Sequence, residues 1–199
     1  MSEPPGLLDE AVARFAAVQA YRVTLRASAA ADAPFREIIR YAYRKPGWVR
    51  MDFVRPYAGM ILIYDPTERV VRLWPFGANG PRFSLSPDNR LLASAGGHRV
   101  DRSDLGALLA QAVALERKGR SEVLGDELLN GRAVRRLRVT GGNEEMVDEV
   151  HRFEFWLDAD SLMPLKAEAI DVRGTAVDVV LMDDLELDVA LPHRLFVQP

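Results

Sequence analysis

From Tyr21 onward the apolar residues of this chain recur at every second position, and a period of two commits the chain to β-sheet. In "YRVTLRAS", Tyr21, Val23 and Leu25 alternate with Arg22, Thr24 and Arg26. Residues 35–44 set Ile39, Tyr41 and Tyr43 against Arg36, Arg40 and Arg44. Beyond a Pro46-Gly47 turn, Val49, Met51 and Phe53 share a face opposite Arg50 and Asp52. Residues 60–65 are apolar on both faces and 70–76 nearly so. Later, Asn130-Gly131 marks a tight hairpin between 121–128 and 132–140. "HRFEFWLD" follows, then 164–172, then a last strand after Gly174 in which Val177, Val179, Leu181, Leu185 and Leu187 hold one face. Each strand has its sequence neighbour available as a partner, which predicts a meander.

Two segments change period. Leu7, Leu8, Ala11, Val12, Phe15 and Val18 recur at helical spacing after Pro4-Pro5-Gly6. A second helix is expected over 104–118, with Ser103 as its cap, an apolar stripe from Leu105 to Leu115, and Arg117-Lys118 then Gly119 at its end. Residues 77–103 are rich in Gly, Ser, Asn and Pro and read as a mobile loop, with a short helical piece at 87–93. The expectation is an α+β protein: about ten to eleven antiparallel strands in meander order, curved into an unclosed half-barrel. A sheet that wide curls rather than staying flat.

The composition narrows the partners. With 26 basic and 29 acidic residues the formal charge is −3, without the basic excess of a nucleic-acid binder. There is no cysteine, hence no disulfide, thiol nucleophile or cysteine-ligated zinc. No apolar run approaches the ~20 residues of a membrane-spanning helix, and "MSEPPGLLDEA" lacks the features of a signal peptide.

Catalytic patterns are poor. His98, His151 and His193 lie in a glycine-rich loop, at a strand start and in the tail, with no metal-binding spacing. Asp183-Asp184 and Glu144-Glu145 are adjacent, so on a strand they point to opposite faces and share no proton. No catalytic residue, metal site or cofactor is expected. Arg132, Arg136 and Arg138 share an outer strand face, which suits an acidic partner or anionic lipid, or simply water.

The notable inventory is apolar. Tyr41, Tyr43, Val49, Met51 and Phe53 are expected to converge with Ile61, Ile63 and Leu73 on one side of the sheet. Phe153, Phe155, Leu157 and Leu165 join them, as do Val177, Val179 and Leu181. Such a face is either a core filled by the helix stripes or the wall of a cavity for an apolar ligand.

The stretch "RKPGWVRMDFVRPYAGMILIYDP", from Arg44 to Pro66, resembles the LolA/LolB-like lipoprotein-sorting carriers of the bacterial envelope. The shared order is a strand ending in a basic residue and Pro, an aromatic-rich strand, another Pro, and an apolar strand. From Phe155 onward the chain also follows the family: strand, D-x5-P turn, strand, Gly turn, long strand and a final "LP…LF". The resemblance runs from about Leu7 to Phe196. It implies one domain over 1–199, with residues 1–6 as a flexible N-terminus and 104–118 as a lid helix. Leu105, Leu108, Leu109 and Ala112 would then face a cavity for the acyl chains of a lipid or lipoprotein. It also implies a periplasmic or outer-membrane-anchored location, membrane-surface contact, and no reaction. The family tends to place Arg before the strand-ending Pro, where it bonds lid groups. Here that place is Lys45, which lacks the planar fork of a guanidinium. The same fold with a filled core would serve as an envelope protein-interaction or stress-regulatory module.

Overall fold

A computed structural model describes residues 6–92 and 99–199. The expectations for residues 1–5, for the end of the 87–93 helical piece and for His98 lie outside the described residues. Among the described residues eleven strands form one antiparallel sheet: β1 (Ala20–Ser28), β2 (Glu37–Arg44), β3 (Trp48–Arg55), β4 (Ile61–Asp65), β5 (Val70–Trp74), β6 (Phe83–Leu85), β7 (Gly119–Leu129), β8 (Arg132–Gly141), β9 (Arg152–Asp158), β10 (Pro164–Ile170) and β11 (Ala176–Leu187). Their order is β6-β5-β4-β3-β2-β1-β11-β10-β9-β8-β7. Sequence neighbours pair as expected, with one difference: the last strand returns to the first, and the break falls between β6 and β7. The sheet is therefore unclosed, with β6 and β7 as its two edge strands. The short strand β6 arises inside the segment that reads as loop.

The residues fall into two compact units. The helical unit comprises Met1–Ala17, Ser28–Ala33 and Leu105–Leu181. Its helices are α1 (Leu7–Ala17) and α2 (Leu105–Glu116). Asp9 and Glu10 in the first turn of α1 favour its N-terminal dipole. The apolar spacing works as expected, burying Leu8, Ala11 and Phe15 of α1 and Leu105, Leu109, Ala112 and Leu115 of α2. Helix α2 packs on α1, β7 and β8. Close approach fixes the glycines there: a Cβ on Gly119 would stand 1.9 Å from the Thr140 carbonyl oxygen. At the β7–β8 hairpin Asn130 and Gly131 both take positive φ, 51° and 81°, as a tight two-residue turn requires.

The tyrosine unit comprises Val18–Ala27, Pro34–Asp104 and Met182–Pro199. It contains β2 to β6, two single 3-10 turns at Arg90–Leu92 and Val100–Arg102, and a C-terminal turn at His193–Phe196.

Candidate functional site

In the tyrosine unit, strand register decides which residues share a face. Tyr21, Val23 and Leu25 of β1 lie opposite Tyr43, Tyr41 and Ile39 of β2. These in turn lie opposite Val49, Met51 and Phe53 of β3. Leu62 and Tyr64 of β4 continue the face, followed by Leu73 and Val71 of β5. The Tyr21 ring stacks on Tyr43 at 5.2 Å and on Tyr41 at 5.9 Å between centroids. All of these except Leu25 and Leu73 are buried.

The segment approaching α2 lies over this face. Ser103 donates its hydroxyl to the Val100 carbonyl at 2.8 Å, so the Tyr41 phenol is the donor in the 3.0 Å contact with Ser103 Oγ. Leu92 and Val100 are buried beneath it. Arg99 pairs with Asp101 at 2.9 Å and with Asp88, holding the segment to itself. Burial, with the Asp104 carboxylate adding to it, pushes the Tyr43 phenol up to about 12. Tyr41 is pushed further the same way by burial, against the lowering effect of its Ser103 bond.

A tyrosine whose pKa rises on folding favours the fold below its ordinary value, and that contribution fades as pH climbs through the folded value. The denaturant midpoint is therefore expected to hold up to about pH 10 and to fall between about pH 10 and 12. Tyr43→Phe should lessen that fall and leave the part due to Tyr41. A midpoint falling equally in the variant would contradict the assignment.

Two expected lining residues belong elsewhere. Ile63 pairs with Arg50, and Ile61 with Asp52, on the face opposite Val49 and Met51. Every residue of β4 is buried, so alternation carries no polar marker there and only the β3–β4 register decides. On that opposite face Ile61, Ile63, Ala42 and Trp74 pack around Phe196, with Trp48, Leu191 and Leu195 against them. The face that carries Arg50 and Asp52 is thus covered by the C-terminal turn. Arg50, with its side chain only 11% exposed, binds Asp52 through Nε and Nη2, both at 2.8 Å. Its Nη1 donates to the carbonyls of Leu195 and Gln198 at 3.0 and 2.8 Å. Arg44 lies over Phe196 at 5.0 Å and meets His193 Nδ1 at 2.7 Å. The available signal is the double-faced apolar pattern of 60–65 together with the terminal "LPHRLF". Lys45, expected at the lid, sits in the β2–β3 turn, where its amide bonds the Gln19 carbonyl.

In the helical unit Phe153, Phe155 and Leu157 lie opposite Val139, Leu137 and Arg135 of β8. Phe153 and Phe155 stack at 5.5 Å. Leu165 is buried as the extra residue of a bulge between Pro164 and Lys166. Val179 and Leu181 are a correction: they pair with Glu168 and Lys166, on the face opposite Phe153 and Phe155. Val177 is the unpaired residue of a second bulge and is exposed. Val180, not its neighbours, lies opposite Ala167 on the phenylalanine face. The run of apolar residues 179–182 hides this from alternation. Of the lid residues Leu105, Leu109 and Ala112 are buried and Leu108 is half-buried.

The outer arginines are engaged within the unit. Arg136 and Arg138 reach Glu154 at 2.7 and 3.0 Å, and Arg132 reaches Asp158 at 2.6 Å. Trp156 lies between the Arg136 guanidinium and the Lys166 ammonium, 4.5 and 4.0 Å from its ring. Burial alone would raise the Asp158 pKa; hydrogen bonds from Ser161, with the Arg132 guanidinium, outweigh it and hold the carboxyl below the usual range.

One end of the tyrosine unit carries exposed aromatics: Tyr57 (62%), Phe76 (79%) and Phe83 (49%). Tyr57 belongs to the β3–β4 loop, and Phe76 to the loop after β5. A Cβ on Gly77 would stand 3.5 Å from the Gly59 carbonyl oxygen, so the two loops are adjacent. The same end carries Arg55 and Arg82, whereas Arg69 lies in the β4–β5 turn at the other end of those strands and Arg72 is paired with Asp65 and Glu68.

Among the described residues no group of three or more His, Asp or Glu is placed to hold a metal. His151 Nδ1 bonds the Glu145 carbonyl at 2.9 Å, and Glu145 pairs with Lys118.

No family model and no curated protein matches the sequence. Solved structures do match. An uncharacterised conserved protein of Thermus thermophilus aligns over 97% of this chain and 91% of its own, at 10% identity and a TM-score of 0.57. Lipoprotein LppX of Mycobacterium tuberculosis aligns over 96% and 99%, at 13% identity and a TM-score of 0.56. A putative outer membrane lipoprotein-sorting protein domain of Vibrio parahaemolyticus aligns over 94% and 95%, at 16% identity and a TM-score of 0.45. At such identities the likeness to the first two is one of fold. That fold, an unclosed antiparallel sheet with two helices, is the one the resemblance of the 44–66 stretch implies.

Proposed function

We propose that this chain is a non-enzymatic carrier of the cell envelope that holds acyl chains of a lipid or lipoprotein for transfer toward the outer membrane. It would work in the periplasm or anchored at the outer membrane. The observation that carries this reading is the cover of the tyrosine face. A broad apolar sheet surface meets the short segment around the Val100–Arg102 turn, through polar bonds that include Tyr41 to Ser103. An alkyl chain contributes ~0.8 kcal/mol for each methylene buried. Displacing such a cover sacrifices about 1 kcal/mol for each hydrogen bond and the burial of Leu92 and Val100. A chain of ordinary lipid length therefore has enough apolar surface to take their place. In the helical unit, α2 would serve as the cover of the phenylalanine face.

A fluorescent fatty-acid titration tests this. Saturable binding that Tyr41→Phe strengthens, by loosening the cover, is expected. Absence of binding, alongside capture of one dominant protein partner without lipid, would instead assign the fold to an envelope interaction module.

The exposed loop aromatics support membrane-surface contact, since aromatic rings flanked by arginines suit an anionic bilayer interface. Tyr57→Ser with Phe76→Ser should lower binding to phosphatidylglycerol vesicles roughly tenfold or more, each ring contributing about 1 kcal/mol or more on insertion. Unchanged sedimentation with vesicles would remove the loops from the proposal.

A further inference from the structure

We infer that the groove between α1 and α2 is a second ligand site, for a single alkyl chain bearing an anionic head such as a fatty-acid carboxylate. It is a half-open depression of about 270 Å³ bounded by Val12 and Phe15 of α1 and by Gly106, Leu109, Ala110, Val113 and Ala114 of α2, with Arg117 also lining it. Small side chains at 106, 110 and 114 recur every fourth residue along α2. They open the groove where larger ones would have filled it. Val12 remains 37% exposed, so the wall is reachable from solvent.

Arg117 selects the ligand. Two adjacent bases, Arg117 and Lys118, follow the end of α2, and they are not equivalent. Lys118 is paired with Glu145 at 3.1 Å, whereas Arg117 has no carboxylate partner among the described residues. Arg14 of α1 is likewise taken, by Glu10 at 2.6 Å and by the Asp160 carbonyl. The one charged group lining the groove is therefore a guanidinium free to take a bidentate carboxylate or phosphate. The volume lies just below the ~300 Å³ at which small-molecule sites begin. That suits one medium-length chain better than the paired chains of a phospholipid. This site stands on its own geometry in the helical unit and does not depend on the carrier reading.

Titration of the ¹⁵N-labelled full chain with dodecanoate tests it, with dodecyltrimethylammonium as the cationic counterpart. Dodecanoate is expected to bind with Kd on the order of 100 µM and to shift the amides of 106–117 and 12–15. The cation should bind at least about tenfold more weakly, and Arg117→Glu should reverse that order. Ala110→Leu with Ala114→Leu, which fills the groove from partly exposed positions, should abolish these shifts. Phe53→Ala, in the other unit, should leave them intact. Equal affinity for the two detergents, shifts confined to sheet residues, or no shift with dodecanoate at 1 mM or below, roughly tenfold above the expected Kd, would each overturn the assignment.

Discussion

Phe53→Asp is expected to abolish acyl-chain binding at the tyrosine face, while Arg40→Ser leaves it within about twofold. The two residues are on β3 and β2 with opposite facings. Phe53 lies opposite Ile39 on the tyrosine face, its ring 6.4 Å from Tyr57, whereas Arg40 pairs with Asp52 on the far side and is exposed. A carboxylate facing an alkyl chain must be desolvated or protonated, at a cost of several kcal/mol. That outweighs the ~0.8 kcal/mol gained from each methylene over the first few carbons of the ligand. An Asp at a buried position also strains the fold, so Phe53→Ala separates the two effects. It should remain folded by circular dichroism, lose about 3 kcal/mol of stability, and bind the chain more weakly without losing it. Full affinity in Phe53→Asp would remove the tyrosine face from the binding site.

Phe196→Ala should be among the most destabilising single truncations outside the strands. Phe196 is 0% exposed and packs on Ala42, Ile61, Ile63 and Trp74, beneath the Arg44 guanidinium. Removing a buried phenyl ring costs about 3–5 kcal/mol. In a chain of this length that corresponds to a fall in Tm of about 10 °C. Trp48, 6.3 Å from the Phe196 ring, should report the loss by a red-shifted emission. His193→Ala removes only exposed contacts to Arg44 and Trp48 and should cost under about 1 kcal/mol. A loss below about 1 kcal/mol for Phe196→Ala, far under the usual cost of such a truncation, would show that the C-terminal turn is not a structural cover.

Much of this architecture is legible in the residue pattern itself. Where one face of a strand is polar, as in β1, β2 and β3, alternation gives the facing of Tyr41, Tyr43, Val49, Met51 and Phe53, and the register agrees. Helix spacing likewise picks out Leu105, Leu109 and Ala112. Alternation fails where both faces are apolar. In β4, Ile61 and Ile63 are as hydrophobic as Leu62 and Tyr64, and nothing local says which pair faces the tyrosines. In β11, an extra residue at Val177 and the apolar run that follows place Val179 and Leu181 with Glu168 and Lys166. Long-range pairing is equally silent in local pattern. The return of β11 to β1 and the wrapping of residues 191–196 over Ile61 and Ile63 join positions far apart in the chain. A strand apolar on both faces implies two covers, and the second cover here is the chain's own C-terminal segment.

Whether the tyrosine face takes acyl chains is read from native mass spectrometry of the protein, isolated from a bacterial envelope without detergent. A fraction heavier than the bare chain by the mass of a lipid or acyl chain is expected, lost on extraction with organic solvent and strongly reduced in Phe53→Asp. The bare chain mass alone, before and after incubation with lipid vesicles, would contradict it.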